Sequence, residues 1–193
     1  SKFDQNIKIV KKDVLKVDFN NYLDDKKVII FGNLPYNIST KILINWIRNN
    51  NLEHFCKKLI LMFQKEVADR IIATDNSKNY SRISIISNWK FNITKIIDIS
   101  PESFFPKPKI KSSLLLLKPK KNTYKINNPK NLEYITNVFF NQKRKMIKRP
   151  MKLLFKDFNK ISNNLSLNLN LRPHNLSMLT YYKICSQYEK LIK

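Results

Sequence analysis

Glycine is almost absent: Gly32 stands alone among 193 residues, where average usage of about 7% would place around a dozen. Cofactor- and nucleotide-binding α/β domains use glycines where backbone must approach a ligand closely. Either no ligand is cradled in a glycine-rich loop, or that loop lies ahead of Ser1, a first residue that is not methionine. Cysteine is nearly as scarce. Cys56 and Cys185 are far apart and accompany no histidine cluster, which excludes a zinc knuckle and argues against a disulfide framework. Both read as core thiols. His54 and His174 share no ligand-like spacing, so no metal is expected. No uncharged apolar run approaches the roughly 18 residues of a membrane helix, and the polar, charged start is not a signal peptide. A soluble, cytoplasmic protein is expected, acting as a monomer and away from membranes.

Acidic residues are the third shortage: 14 Asp and Glu against 37 Lys and Arg, a formal charge of +23. Such an excess makes a polyanion the expected partner, with phosphate contacts and counterion release supplying affinity. Nucleic acid is favoured over the two rival explanations, an anionic membrane surface and a lysine- and asparagine-rich compositional bias.

What is present is an alternation of strand-like and helix-like segments. Ile7–Val10 and the β-branched run Val28–Phe31 read as buried strands. Ser39 or Thr40 then caps a helix with Ile42, Leu43, Trp46 and Ile47 on its apolar face. Leu59–Phe63 reads as a strand and Lys65–Ala73 as a helix, with Val67, Ile71 and Ile72 inward. Ser81–Asn88 fits both periods. Ile93–Ile99 and Ser113–Leu117 read as strands flanking a proline-bearing loop, Ser100–Lys111. The alternation implies an α/β fold with a mostly parallel sheet and helices on both faces, and an antiparallel edge where the last two strands meet. A linker is expected over Lys118–Lys130. Helices follow, one with Leu132, Ile135, Val138 and Phe139 on one face and a last one over Asn175–Tyr188. The expected division is residues 1–120, an α/β domain, and 121–193, a small helical one.

Asn33-Leu34-Pro35-Tyr36 follows directly on the strand Val28–Phe31. Ligands of open α/β sheets bind beyond the carboxyl ends of strands. An amide oxygen from Asn33 and a backbone carbonyl near Leu34 or Pro35 can both accept hydrogen bonds from an exocyclic amine. Pro35 fixes the backbone, and Tyr36 offers a face on which an extruded base can stack. Two acceptors holding the hydrogens of an aromatic amine aim its lone pair at an electrophilic carbon, naturally the methyl of a sulfonium, without a strong base or a metal. The plainer alternative is a loop, since Asn and Pro favour turns.

The segment Phe31-Gly32-Asn33-Leu34-Pro35-Tyr36-Asn37-Ile38-Ser39-Thr40 resembles the signature of the small-subunit ribosomal RNA adenine dimethyltransferases, the kasugamycin-resistance family. Further segments resemble the family in order: Gln64–Arg70, Tyr80–Ser84, Phe104–Ser112, Phe140–Lys145 and Leu171–Pro173. The resemblance implies a Rossmann-like methyltransferase sheet, incomplete at its N-terminus, followed by a small α-helical domain. It implies S-adenosyl-L-methionine as cofactor and dimethylation of two adjacent adenines of 16S ribosomal RNA in the small ribosomal subunit, aiding ribosome biogenesis. By the same resemblance Asp13 accepts a hydrogen bond from the cofactor's adenine, Asn33 contacts cofactor and target, and Tyr36 and Phe104 sandwich the flipped base. Asp13 is otherwise a turn or cap residue and Phe104 a core aromatic; Glu66 and Arg70 read as a surface ion pair. The family's glycine-rich cofactor loop has no counterpart, so this polypeptide alone is expected to bind the cofactor weakly and to be inactive. Alternative readings are a catalytically silent RNA- or DNA-binding relative, or a macrolide-resistance enzyme of large-subunit RNA.

Lys143, Arg144, Lys145, Lys148, Arg149 and Lys152 form the densest basic tract. On a helix, Arg144, Lys148 and Lys152 would lie along one side and track RNA phosphates; the alternative is a solvated helix face. Pro150 falls where that helix would continue, so a break or restart is expected there.

Overall fold

The computed structural model describes residues 7, 9–17 and 27–192. Among the described residues the sheet has four strands, β1 (Val28–Asn33), β2 (Cys56–Gln64), β3 (Phe91–Ile99) and β4 (Ser112–Pro119), in the order β1-β2-β4-β3. β1 and β2 are parallel, whereas β4 runs antiparallel to both its neighbours. The antiparallel edge expected from the late strand pair is therefore present. The mostly parallel sheet is not: among the described residues one pairing of three is parallel, because β4 returns between β2 and β3 rather than outside them. Ile7, Ile9 and Val10 are exposed and lie in no strand, and Lys8 lies outside the described residues.

Between the strands run α1 (Ser39–Arg48), α2 (Leu52–Phe55), α3 (Lys65–Ile71) and α4 (Arg82–Lys90). α1 buries Ile42, Leu43, Trp46 and Ile47, the face its sequence spacing marked. Its N-cap is Ile38 with no side-chain cap; Ser39 is already helical and instead donates to the Tyr36 carbonyl at 3.1 Å. α4 is the segment whose period was ambiguous. Ser84, Ile85, Ile86, Ser87, Trp89 and Lys90 are all buried, and a helix covered nearly all round shows no single apolar stripe to read.

The helical part comprises α5 (Pro129–Phe140), α6 (Lys148–Leu154), α7 (Phe158–Asn164) and α8 (Met178–Leu191). Leu132, Ile135 and Phe139 are fully buried on α5 as their spacing indicates, with Val138 half-buried. α8 starts later than expected because Pro173–Asn175 forms a separate 3-10 turn and Ser177 caps the helix, accepting from the Thr180 N–H at 3.2 Å. One apolar cluster runs from Leu34 and Leu61 at the sheet to Phe139, Tyr181 and Ile184 in the helices. Hydrogen bonds cross the same boundary: Tyr182 donates to the Ile85 carbonyl at 3.0 Å, and the Trp89 indole to the Tyr124 carbonyl at 2.8 Å. Glu189, buried on α8, accepts from the backbone N–H groups of Asn127 and Asn128 and from the Asn131 amide at 2.8–3.0 Å. The sheet and the helices are thus packed as one body around a shared interior.

The basic tract departs from its expected form. α5 stops at Phe140, residues 141–147 make turns, and α6 begins at Lys148. Arg144 therefore does not share a helix with Lys148 and Lys152. Pro150 occupies the first turn of α6, where its missing N–H has no intrahelical partner to lose. The interruption foreseen at the proline lies just ahead of it.

Candidate functional site

A slot of about 340 Å³ opens at the carboxyl end of β1 and β2, lined by Asn33, Leu34, Pro35, Tyr36, Met62, Phe104, Phe105, Pro106 and Pro108. All five residues singled out for target binding meet there. The fold explains how. β1 ends at Asn33, whose register partner on β2 is Met62, so these two side chains stand at neighbouring strand ends. The chain then turns at once: the Ile38 N–H donates to the Pro35 carbonyl at 3.1 Å and closes the turn into α1. The Leu34 side chain is buried in the core cluster, and the residue also lines the slot. Across the opening, the loop between β3 and β4 presents Phe104, half-buried at the slot rather than in the core.

Tyr36 is tied at its far end. Its hydroxyl lies 2.6 Å from the Ser112 hydroxyl, and Ser112 is fully buried at the start of β4. Among the described residues, no charged side chain lines the slot. Three aromatic residues (Tyr36, Phe104 and Phe105), prolines and a carboxamide make a neutral, flat-walled recess, which suits a planar uncharged group better than a phosphate or a carboxylate. Gly32 makes no cradle. A Cβ there would meet Leu61 Cδ2 at 2.8 Å and Leu34 Cδ2 at 2.9 Å, so the lone glycine admits close packing of β1 on its neighbours.

Asp13 is exposed in a turn of its own making: its Oδ1 accepts from the Leu15 N–H at 3.0 Å and its carbonyl from the Lys16 N–H at 2.9 Å. It does not line the slot.

Two cationic hollows lie beyond the slot. One, of about 690 Å³, is bounded by Thr40 on α1, Glu66 and Arg70 on α3, Lys78, Arg82 at the start of α4, and Lys143. Arg70 pairs with exposed Glu66, as the i,i+4 spacing indicated. Arg82 is a strut, donating to the Asn137 side chain at 2.7 Å and the Glu133 carbonyl at 3.3 Å. The other hollow, of about 730 Å³, is lined by Arg144, Lys145, Lys148, Arg149, Lys152 and Arg172, with Met146 and Asn170. Among the described residues, six cations and no carboxylate surround it. The Ile147 N–H donates to the Leu171 carbonyl at 2.8 Å, which brings Arg172 beside the tract. Lys143 thus faces the first hollow, whereas the other five tract residues line the second.

Sequence reasoning missed Ser112, Met62 and Arg172 as members of these surfaces. Ser112 and Arg172 fall inside segments already conspicuous, Phe104–Ser112 and Leu171–Pro173. Met62 carried no signal within its apolar strand. Both cysteines are buried and free, as expected. The described residues contain no group of three or more metal-ligating side chains and no helix long and apolar enough to cross a membrane.

Comparison with known proteins bears directly on this arrangement. Residues 1–190 match the model of the family described as ribosomal RNA adenine dimethylase. The chain belongs to that family. It is 52% identical over 190 residues to a ribosomal RNA small subunit methyltransferase A from Pelagibacter ubique, covering 98% of this chain and 72% of that one. It is 38% identical to the protein of that name from Ehrlichia canis, covering 95% and 69%. Among solved structures it is similar to a dimethyladenosine transferase from Plasmodium falciparum (TM-score 0.75, 22% identity, 96% of this chain and 74% of that one). It also superposes on the 23S rRNA methyltransferase ErmE (TM-score 0.62, 16% identity, 97% and 73%). These last two likenesses establish that this member has the Rossmann-like methyltransferase fold with a C-terminal helical part.

Proposed function

We propose that this ribosomal RNA adenine dimethylase family member takes an extruded adenine of small-subunit ribosomal RNA between Tyr36 and Phe104 for dimethylation at its exocyclic amine. The observation that carries this reading is the convergence of Asn33 at the end of β1, Tyr36 in the turn after it and Phe104 in the loop between β3 and β4 on one neutral slot at the strand ends. The base stacks on the two rings, each worth about 1–3 kcal/mol. The Asn33 amide oxygen accepts one hydrogen of the amine. The Pro35 carbonyl already closes the turn into α1, so the second acceptor is the Leu34 carbonyl. With both hydrogens held, the nitrogen lone pair points out of the ring plane toward the methyl donor. The leaving proton passes to solvent as the amine is alkylated, since among the described residues no carboxylate or histidine lines the slot.

S-adenosylmethionine, when bound, supplies an electrophilic methyl group on a sulfonium. Asn33 at the end of β1 would hold its reactive end, and exposed Asp13 would accept from its adenine. The fit is partial: among the described residues no glycine opens space for a ligand, because Gly32 is filled from both sides by leucine side chains. The chain is accordingly expected to bind the cofactor more weakly than micromolar. Isothermal titration measures this, and micromolar affinity would contradict it.

RNA docking falls to residues 121–193 of this monomer, through the hollow of Arg144, Lys145, Lys148, Arg149, Lys152 and Arg172, with Lys143 adding a cation to the other hollow. Phosphate contacts there position the RNA without reading its sequence. The names of the relatives favour small-subunit over large-subunit RNA, and the neutral aromatic slot favours the enzyme over a silent binder. The test is a binding titration with an RNA hairpin whose two adjacent adenines are replaced by purine, which lacks the 6-amino group. Loss of two hydrogen bonds at about 0.5–1.5 kcal/mol each weakens binding some 5- to 150-fold. Equal affinity for both hairpins would defeat the amine-gripping role of Asn33 and Leu34.

A further inference from the structure

The hydroxyl contact of Tyr36 has a partner in an unusual place. Tyr36 follows β1, and Ser112 begins β4, yet β1 and β4 are not neighbours: β2 lies between them. The tyrosine side chain must therefore cross the end of β2 to bring its hydroxyl within 2.6 Å of the Ser112 hydroxyl. Ser112 is held firmly. It is fully buried, and it pairs with Gln64 of β2 on one side and Ile99 of β3 on the other. It is also the first residue after the loop that carries Phe104. The loop that carries Phe104 thus ends at the serine to which Tyr36 is bonded.

We propose that Ser112 is a positioning residue for base binding: its hydroxyl pins the Tyr36 ring across the sheet end and so sets the gap between that ring and Phe104. This rests on reading the slot as the seat of an adenine. A tyrosine turns about two side-chain torsions, and a bond to its distal hydroxyl restrains both, so the stacking face is ordered before the base arrives. The adjacent Ser113 is just as buried but points the other way, donating to Asp98 at 2.6 Å. Successive side chains of a strand alternate faces, so Ser112 alone of the pair reaches the slot.

The full chain is titrated with an RNA hairpin in which 2-aminopurine replaces one of two adjacent adenines, reading affinity and the probe's bound-state fluorescence lifetime. 2-Aminopurine has no 6-amino group, so the readout follows stacking and is blind to Asn33. Ser112→Ala and Tyr36→Phe each weaken binding about five-fold, the worth of one hydrogen bond, and each alters the bound lifetime. Because both remove the same bond, the double variant loses no more than either single one. Ser112→Thr restores the hydroxyl and the affinity, and Ser113→Ala binds as the wild type does. Thermal melts of every variant separate these effects from unfolding. A normal wild-type response with S112A binding equally well would overturn the proposal, as would additive losses in the double variant or a loss in S113A equal to that in S112A. A lifetime unchanged when the wild type binds would overturn the base-slot reading itself, and this proposal with it.

Discussion

Removing the Glu189 carboxylate should loosen the helical part from the sheet. Glu189 sits near the end of α8, almost fully buried, and receives three hydrogen bonds: Asn127 N–H at 2.8 Å, Asn128 N–H at 2.9 Å and the Asn131 amide at 3.0 Å. Asn128 in turn caps α5, its side chain accepting from the Lys130 N–H at 3.0 Å. One carboxylate thus fixes the end of the linker and the start of α5 against α8. A hydrogen bond to a charged group is worth about 1.5–3 kcal/mol, but deletion also recovers the carboxylate's own desolvation cost and lets water reach the exposed Asn127 and Asn128 backbone. A net loss of about 3–5 kcal/mol is expected for Glu189→Ala. Glu189→Gln keeps one acceptor but turns an N–H toward a donor, for a loss of about 1–3 kcal/mol. Urea unfolding followed by Trp46 and Trp89 fluorescence measures both, and at this length each kcal/mol lowers Tm by roughly 2–4 °C. A loss below about 1 kcal/mol for E189A, or equal losses for the two variants, would refute the reasoning.

Three further outcomes are expected. Tyr36→Ala and Phe104→Ala should each cost about 1–3 kcal/mol of RNA affinity through lost stacking, while fluorescence anisotropy with an RNA lacking adenines shows no difference between variants and wild type. Replacing Arg144, Lys148 and Lys152 with Ala should flatten the salt dependence of RNA binding by roughly 0.7–0.9 log units per lost phosphate contact, with Arg172→Ala acting in the same direction; an unchanged slope contradicts the docking role. Burial pushes the Cys56 thiol up from 9.0 to about 11, so the folded state favours the protonated form. That stability is complete below pH 9 and is lost as pH rises toward 11; between pH 7 and 10.5 the wild type should lose about 2 kcal/mol more than Cys56→Ala, and parallel pH curves would rule this out.

The residues of the candidate site were conspicuous in the sequence because they fall in short local segments. Asn33 to Tyr36 follow a strand without interruption, and a strand's carboxyl end is where such folds bind. The loop bearing Phe104 is marked by prolines that no central strand accommodates. Local pattern could not show where β4 inserts, since strand order depends on contacts far apart along the chain. The position of β4 between β2 and β3 decides that Ser112 lies within reach of Tyr36. The basic tract failed for a related reason. Spacing alone suggested one helix, but the chain turns over residues 141–147 because Ile147 is drawn into the core and bonded to Leu171. Its cations still converge, around a hollow rather than along a helix side. The ambiguity of α4 came from burial on almost every side, which erases the amphipathic signal on which period reading depends.

The most direct test of an adenine seated between two rings is ultraviolet cross-linking of the chain to an RNA hairpin with two adjacent adenines, with the adducts mapped by mass spectrometry. Adenine attached to Tyr36 or Phe104 is the expected result, disappearing when those adenines are replaced by uracils. Adducts confined to the hollow around Arg144 and Arg172, with none at the strand ends, would contradict it.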